Sequence, residues 1–166
     1  MEFWDIYDEN KKPTGRTMKR NDWCLKDGEY HLTVLGVVGR PDGTFLITKR
    51  VMTKAWAPGW WEVSGGAAQA GEESCEAVLR EVKEETGLDI TKCRYLFSIP
   101  NLYMYCGFEV HTVDMFFECH VKDFTGVHAE DDAAEIVIVK KEELKAEEFG
   151  LMSIKKAIRL YKENNC

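Results

Sequence analysis

The most constraining feature of this sequence is a predicted helix, Glu73–Thr86, that carries three glutamates close together. At about 100° per residue, Glu81, Glu84 and Glu85 share an arc of about 100°, so their like charges repel one another. The apolar residues expected to face the core lie directly beside this arc on the helical wheel: Cys75, Val78, Leu79 and Val82. The sequence therefore predicts that the carboxylates converge at the edge of a cleft, where water is scarcer.

A bound cation is one way to offset these charges. Arg80 lies near Glu84 on the same helix and can hold one carboxylate, but it cannot neutralise all of them. Mg²⁺ prefers oxygen ligands and is commonly bound by a few carboxylates together with the phosphates of a substrate. The net charge of −7 also makes binding to a nucleic acid polymer unfavourable, so a phosphate-rich ligand would need a local device of this kind.

The residues around the helix help to decide between a metal site and an ordinary solvated acidic surface, which a bare ExxEE pattern would favour. Gly65 and Gly66 permit close backbone approach in front of the helix. Glu72 adds a further carboxylate in the preceding loop, and Gly87 falls where a left-handed cap would end the helix. This combination favours the metal site.

The length of 166 residues and the hydrophobic content of 45% are typical of one folded domain, here residues 1–166. No apolar run approaches the roughly 20 residues needed to cross a bilayer, so no membrane association is expected. The N-terminal residues lack the features of a secretion signal, which predicts a cytoplasmic protein. The six cysteines are scattered singly, so we expect reduced thiols and no zinc site.

Runs of β-forming residues predict strands on both sides of the helix. Before it, residues 1–20 are expected to form a β-hairpin, and a second hairpin joins His31–Val38 to Thr44–Lys49 through the turn GRPDG. After it, strands are expected in CRYLFSI, in YCGFEVHTVDMFFECHV, with an interruption or bend around Gly107–Thr112, and in AEIVIVK. A short helix starts at KKEEL, and apolar residues at helical spacing predict a closing helix: Leu151, Ile154, Ala157, Ile158 and Tyr161. These elements predict an α/β or α+β fold in which a mixed sheet packs between helices.

The segment from Gly66 to Leu88 resembles the signature of the Nudix hydrolases. After Gly66 the signature continues with five residues, Glu72, seven residues and then REVKEETGL, a match at every specified position. Weaker similarity to the branch related to isopentenyl diphosphate isomerase lies in FWDIYDENKKPTGR, YHLTVLGVV and PGWWEVSGGAAQAGE. The resemblance implies an α/β/α sandwich with a loop-helix-loop signature at residues 66–88. It also implies hydrolysis of a diphosphate linked to another moiety, with Mg²⁺ or Mn²⁺ as the cofactor.

The resemblance also assigns roles by position. The implied metal ligands are the side chains of Glu81, Glu84, Glu85 and Glu72 and the carbonyl of Gly65. Glu81 is either a ligand or the base that activates water, and Glu72 either completes the acidic site or binds a second ion. Arg80 is implied to orient the glutamates, so that Glu81, Arg80 and Glu84 form the expected catalytic set.

Residues outside the signature are further candidates. In this family the base sometimes lies outside the helix, which makes Glu135 and the acidic run Glu130–Asp132 candidates, although a solvated loop is the simpler explanation for all of them. Arg50, Lys49 and Lys54 are candidates for contacts with the phosphates of a substrate, against the plainer interpretation of surface cations.

Aromatic residues and one histidine before the signature also need an interpretation. Trp56, Trp60 and Trp61 can stack on a base or ring, although tryptophans before a Pro-Gly turn more often belong to a core. His31 aligns loosely with a metal-binding histidine of the isomerases. A polar residue that enters a strand is the simpler interpretation of His31.

The implied function is hydrolysis of a diphosphate linkage, by water attack on phosphorus, in a nucleoside di- or triphosphate or another nucleoside diphosphate derivative. An isopentenyl diphosphate isomerase is disfavoured because its chemistry needs a cysteine and a histidine before the signature helix, and WWEVSGGAAQAGEE contains neither. A domain that only senses a nucleotide is a second alternative, although every signature glutamate is present. The partner expected is a small phosphorylated substrate, and the oligomeric state, a homodimer included, stays open.

Overall fold

A mixed β-sheet forms the middle layer of the computed structural model, which describes residues 1–54, 57–105, 107–129 and 133–163. The strands in this part of the chain are β1 (Phe3–Tyr7), β2 (Pro13–Lys19), β3 (Tyr30–Gly39), β4 (Thr44–Arg50), β5 (Trp61–Glu62), β6 (Ser64–Ala67), β7 (Lys92–Tyr105), β8 (Phe108–His120) and β9 (Ala133–Lys140). The α-helices of the same part are α1 (Ser74–Thr86) and α2 (Met152–Glu163). Short 3₁₀ turns precede α2 at Lys141–Glu143 and Ala146–Glu148.

Strand β3 lies at the centre of the sheet. On one side it runs parallel to β8, from His31 beside Thr112 to Gly39 beside His120. On its other side it pairs in turn with β1, β6 and β4, all antiparallel. Strand β6 contains the glycine pair and leads directly into the loop before α1. This topology places the glycine pair and the acidic helix over the middle of the sheet.

Apolar cores on both faces of the sheet complete an α/β/α sandwich, which confirms the predicted fold. One core lies between α1 and the sheet and includes Val34, Val78, Val82, Val113 and Phe117. The other lies between α2 and the opposite face and includes Leu35, Ile47, Phe116, Ile154 and Ile158. Because each fully buried side chain of this size contributes roughly 1.5–3 kcal/mol, the two layers hold α1 and α2 in fixed positions.

The N-terminal strands extend the same sheet. Strands β1 and β2 pair antiparallel at the positions where the sequence predicts a hairpin, and β1 also pairs with the first residues of β3. A third apolar cluster fixes this hairpin and the loop after it: Trp4, Ile6, Met18, Trp23 and Leu25. The hairpin therefore lies beside the start of β3.

The hairpin of β7 and β8 differs in part from the predicted pattern. The predicted interruption occurs at the start of its range, because the chain reverses between β7 and β8 at Gly107, which has φ 86°, a backbone conformation that favours glycine. Beyond this turn, β8 runs without a break from Phe108 to His120. Strand β7 is longer than predicted. The predicted strand CRYLFSI ends just before Pro100, whereas β7 continues through Pro100 to Tyr105. An edge strand tolerates proline, since the missing N–H is not needed by a neighbour.

The C-terminal elements occur where the sequence predicts them. Strand β9 is followed by the 3₁₀ turn Lys141–Glu143 and, further on, by α2. Helix α2 buries the apolar residues expected of the closing helix, Ile154, Ala157, Ile158 and Tyr161. Within the described ranges, neither α-helix has the length and apolar character that a bilayer crossing requires.

Candidate active site

A polar cleft opens beside the glycine pair and encloses about 350 Å³. One wall comes from β6 and α1 and contains Gly65, Gly66, Arg80, Glu81, Glu84 and Glu85. A second wall comes from the N-terminal hairpin, the loop after it, β3 and β7, and contains Trp4, Trp23, His31 and Tyr105. Strands β4 and β5 add Arg50 and Glu62. Residues that are far apart in the sequence therefore meet in one cleft.

Both glycines of the pair are required by close packing. A Cβ on Gly65 would lie 2.1 Å from the carbonyl oxygen of Val34 in the neighbouring strand. A Cβ on Gly66 would lie 2.5 Å from the carboxyl carbon of Glu81. Gly65 thus allows β6 to approach β3 closely, whereas Gly66 leaves room for the Glu81 side chain of α1 beside the backbone of β6.

Helix α1 begins and ends at well-defined residues. At its start the side chains of Glu73 and Glu76 form a capping box, in which Glu76 accepts a hydrogen bond from the Glu73 backbone N–H at 3.3 Å. At its end Gly87 has φ 74° and donates its backbone N–H to the carbonyl of Lys83 at 2.9 Å. These caps fix the positions of the glutamates along the helix.

The helical wheel places two glutamates inside the buried face and not beside it. The buried residues of α1 are Ala77, Val78, Val82 and Thr86. With Glu81 at zero, this face runs from about −40° to about 140° and includes Glu85 at about 40°. Glu84 lies outside the buried face, and its side chain is 60% exposed. The core positions predicted for Cys75 and Leu79 are wrong, since both side chains are exposed.

Arg80 connects three carboxylates and one backbone carbonyl. Its Nε and Nη2 donate to the two carboxylate oxygens of Glu72 at 2.8 and 2.9 Å. Its Nη1 donates to Glu81 at 2.6 Å and to Glu84 at 3.2 Å, and Nη2 also donates to the Ala67 carbonyl at 3.2 Å. The contact with Glu84 is the one that the sequence predicts, but the bidentate contact with Glu72 is the closer one.

Glu72 is engaged through both carboxylate oxygens. Besides the bonds from Arg80, its Oε2 accepts a hydrogen bond from the backbone N–H of Gln69 at 2.9 Å. The hydrogen bond from Arg80, above all, lowers the pKa of Glu72, and the same contact raises the pKa of Arg80. This arrangement favours a role for Glu72 in positioning Arg80 over its predicted role as a metal ligand.

Glu85 is a mostly buried carboxylate that forms no ion pair among the described residues. Its Oε2 accepts a hydrogen bond from the Gly65 backbone N–H at 3.3 Å. Burial, above all, raises the pKa of Glu85 well above its usual value, and the nearby charges of Glu62 and Glu81 raise it further. Burial likewise raises the pKa of Glu81, despite the hydrogen bond from Arg80. A cation close to Glu81 and Glu85 would stabilise their charged forms, which burial disfavours.

Arg50 lines the cleft, where a phosphate contact is predicted, but it also pairs with a residue that the sequence analysis did not identify. Its Nη1 lies 3.0 Å from Glu62 Oε2, and both side chains are mostly buried. In the sequence, Glu62 is recognisable only as a charged residue just before the buried Val63 and the glycine pair. Its pairing with Arg50 cannot be predicted from this position alone, because it depends on the pairing of β5 with β4.

The donor atoms of the cleft suit a hard divalent cation, although they do not surround one point. Among the described residues, no three His, Cys, Asp or Glu side chains lie close enough together to hold a metal ion. The predicted convergence of Glu81, Glu84 and Glu85 is therefore not present in this structure, in which Arg80 holds Glu84 at the exposed rim. Carboxylate and carbonyl oxygens are nevertheless the ligands that Mg²⁺ prefers.

Four of the predicted site residues do not line this cleft: Lys49, Lys54, Glu72 and Glu135. Lys54 belongs to the loop after β4, and Glu135 lies on β9, with Oε2 3.9 Å from Lys49 Nζ and a side chain that is 53% exposed. The other candidates for a distant base, residues 130–132, lie outside the described part of the chain.

Trp60 and Trp61, which precede the signature, do not line the cleft either. Trp60 lies under the ammonium group of Lys155 at 5.0 Å, and Trp61 lies under that of Lys49 at 5.3 Å. Trp56 is outside the described residues. The aromatic rings in the cleft are instead those of Trp4, Trp23, Tyr103 and Tyr105, which the sequence analysis did not single out.

Comparisons with known proteins place these features in a family. The model of the NUDIX domain matches residues 29–161. An uncharacterized Nudix hydrolase of Listeria monocytogenes, lmo0368, is 35% identical over 152 residues, which cover 88% of this chain and 84% of that protein. The nucleoside triphosphatase NudI of Salmonella heidelberg is 32% identical over 110 residues, 62% of this chain and 77% of that protein.

Similarity also extends to isomerases and to solved structures. An isopentenyl-diphosphate Delta-isomerase of Kocuria rhizophila is 34% identical over 86 residues, which cover 51% of this chain and 47% of the isomerase. The crystal structure of DR0079 from Deinococcus radiodurans has a TM-score of 0.74 at 20% identity and covers 96% of this chain and 98% of that one. At that level of identity, the structural likeness shows the fold alone.

Proposed function

This chain belongs to the Nudix family and is a hydrolase, and we propose that it cleaves a phosphoanhydride bond in a small nucleoside di- or triphosphate or a related nucleoside diphosphate, using Mg²⁺ or Mn²⁺. Pyrophosphohydrolase activity in general follows from the family. The preference for a nucleotide is supported by the similarity to a nucleoside triphosphatase over most of that protein's length.

The observation that carries the metal requirement is the state of Glu85. This carboxylate is buried beside Glu81 and Glu62, forms no ion pair among the described residues, and has a raised pKa. A buried charge of this kind is costly unless a cation accompanies it. A protein that needed only stability would be served better by a neutral side chain here.

The residues that would hold the ion are Glu85, Glu81, Glu84 and the carbonyl of Gly65. When bound, the ion would offset the charge of these carboxylates and of the substrate's phosphate oxygens. Arg80 would hold Glu81 in place through the 2.6 Å hydrogen bond. Glu81, whose pKa is raised by burial, would serve either as one of these ligands or as the base that accepts a proton from the attacking water. Arg50, which lines the same cleft, would be available to contact a phosphate group.

The isomerase alternative fits the cleft less well. Its chemistry needs a reactive cysteine, and no cysteine among the described residues lines the cleft. Of these, Cys24 and Cys75 are exposed and Cys119 is buried in the core beneath α1. A domain that only senses a nucleotide would bind a metal-nucleotide complex through the same carboxylate, so turnover is the observation that separates this alternative from a hydrolase.

Chromatographic identification of the products tests the proposal: nucleoside di- and triphosphates would release phosphate or pyrophosphate, and the other substrates would each yield two phosphorylated products. The substrates are nucleoside di- and triphosphates, ADP-ribose, nucleotide sugars and dinucleoside polyphosphates, each with Mg²⁺, with Mn²⁺ and with chelator. We expect turnover that chelator abolishes and that Glu85→Gln reduces to background. Glu9→Gln, an exposed glutamate in the turn between β1 and β2, is the matched control and should retain full activity.

A thermal shift with and without Mg²⁺ separates the outcomes. The wild type should be stabilised by Mg²⁺, whereas Glu85→Gln should remain folded and lose this stabilisation. Turnover in chelator would contradict the metal requirement. A clear Mg²⁺ shift without turnover across the panel would contradict the nucleotide substrate and favour a sensing domain.

A further inference from the structure

We propose that the end of the cleft built by the N-terminal hairpin and the loop after it is a subsite for a nucleobase, with Trp23 as its stacking surface and His31 as its polar reader. This inference rests on the proposed function, because it names the part of the substrate that the signature residues do not contact. It is carried by a cluster of aromatic rings around one buried histidine.

The rings of the subsite belong to four separate parts of the fold. Trp4 stacks on His31 with ring centroids 4.5 Å apart and planes inclined by 15°. Trp23 lies against both, with centroid distances of 5.9 Å to Trp4 and 6.3 Å to His31, and its ring is 5.8 Å from that of Tyr105 on β7. All four side chains line the same cleft as Glu81 and Glu85. An aromatic surface therefore adjoins the proposed phosphate end.

His31 is the unusual member of the cluster. It is 3% exposed, and neither ring nitrogen makes a hydrogen bond of normal geometry to any described residue. Its neighbour Trp4 is satisfied, since the indole N–H donates to Glu2 Oε1 at 2.6 Å. Leaving a buried polar group without a partner is costly, and such groups are rare in folded proteins. A ligand that bonds to the imidazole would supply the missing partner.

The charge state of His31 determines which hydrogen-bonding groups of a ligand it can recognise. Burial lowers the pKa of His31 to about 4, so the ring is neutral at physiological pH. A neutral imidazole offers one donor and one acceptor. The edge of a nucleobase carries both kinds of group, whereas a hydrocarbon chain carries neither. The aromatic walls suit a flat ring, because every base has a face that can stack.

The backbone that carries Trp23 is strained in a way that fits this role. Trp23 has φ 41° and Asn21 has φ 70°, both in the left-handed region. A bulky side chain rarely occupies this region, and such residues cluster where a site requires a particular side-chain position. Arg20 stabilises the same segment, since its Nη1 donates to Glu2 Oε2 at 2.9 Å. The loop thus holds the indole over the histidine at a conformational cost.

The first test measures binding without catalysis or metal. Adenosine, cytidine, guanosine and uridine are titrated into the wild type in chelator, with tryptophan fluorescence as the signal and ribose as the base-free control. We expect at least one nucleoside to bind and ribose not to bind. Trp23→Ala should weaken that binding about tenfold. Trp60→Ala, an exposed tryptophan outside the cleft, should leave it unchanged.

A second variant separates reading of a base from a purely structural role. His31→Phe keeps a ring stacked on Trp4 and removes both unpartnered nitrogens. If His31 reads a base, the variant should keep or raise the melting temperature and weaken the preferred nucleoside about tenfold. Unchanged affinity for every nucleoside in both variants would overturn the subsite.

Hydrolysis then distinguishes failure of the subsite from failure of the proposed function. In turnover with Mg²⁺, both variants should raise KM for the nucleoside diphosphate and leave kcat/KM for methyl diphosphate, which has no base, within about twofold. Nucleoside binding without turnover would reject the proposed function and keep the subsite. Turnover in which the variants affect both substrates equally would reject the subsite and keep the function.

Discussion

Replacement of Asp114 by asparagine should stabilise the protein at neutral pH and leave its stability near pH 4 almost unchanged. Asp114 lies on β8, is 1% exposed, and accepts a hydrogen bond from Ser153 Oγ in the first turn of α2. Burial raises the pKa of Asp114 to about 6, and hydrogen bonds from Ser153, Thr112 and Asn101 offset only part of this effect.

The sign and size of the effect follow from this pKa. Because the pKa of Asp114 is about 6 in the folded protein and 3.8 ordinarily, the folded protein retains a proton between these values that the unfolded chain has lost. The free energy of unfolding therefore falls as pH rises from about 4 to about 6. The difference corresponds to about 3 kcal/mol, which is lost in full above pH 6. Asparagine stays neutral and keeps an oxygen that can accept from Ser153, so it avoids the loss.

Urea unfolding of the wild type and Asp114→Asn at pH 4, 6 and 8, in chelator, measures this contribution. The other titrating groups of the cleft are present in both proteins, so the comparison cancels them. We expect the variant to be more stable by up to about 3 kcal/mol at pH 8, with the difference shrinking toward zero at pH 4. A variant that is no more stable than the wild type at pH 8, or a difference that does not depend on pH, would refute the reasoning.

Three further predictions concern the cleft. Arg80→Ala should lower activity and reduce the free energy of unfolding by roughly 1–3 kcal/mol, because Glu72 and Glu81 lose their charged donor; urea unfolding and turnover measure both. Gly66→Ala should lower kcat on the order of 100-fold, because the added Cβ displaces Glu81, while thermal unfolding shows a folded protein. Inorganic phosphate should bind in calorimetry with Mg²⁺ present and not in chelator, because the cleft alone is acidic.

Each of these predictions has a contrary outcome. Arg80→Lys is the matched control, since a single ammonium group cannot bridge Glu72 and Glu81 as the guanidinium does, and it should recover only part of the loss. A gain in stability at Arg80→Ala without loss of activity would contradict its positioning role. Full activity of Gly66→Ala would show that Glu81 does not need its present position, and phosphate binding in chelator would show that the basic groups suffice.

The sequence predicts well those elements whose ends and buried face are determined by residues within a single segment. The capping glutamate Glu73, the glycine at Gly87 and the periodic valines define α1 from within a single segment. The error at Cys75 and Leu79 has a physical cause, because the wheel assigned burial from apolar character alone. The position of the sheet decides which face is buried, and close approach at Gly66 turns the arc of Glu81 and Glu85 inward.

The rest of the cleft depends on pairings that no segment reveals by itself. Glu62 meets Arg50 because β5 pairs with β4, and Trp23 meets His31 because the loop after the N-terminal hairpin folds back onto β3. Long-range contacts of this kind leave no periodic signal in the sequence. The sequence therefore does not predict that the aromatic residues of the cleft lie together, although each of them can be read from it.

The distribution of charge in the cleft links the proposed metal to the placement of Arg80. This guanidinium holds Glu72 in a bidentate contact and reaches Glu81 and Glu84, while Arg50 is occupied by Glu62. Both guanidinium groups thus pair with carboxylates other than that of Glu85. A phosphate group entering this cleft without a cation would meet an excess of negative charge, which opposes binding. The excess of carboxylates therefore destabilises the metal-free cleft and also opposes the binding of a phosphate group. Because a cation would relieve both effects, we expect metal binding and substrate binding to be coupled in this protein.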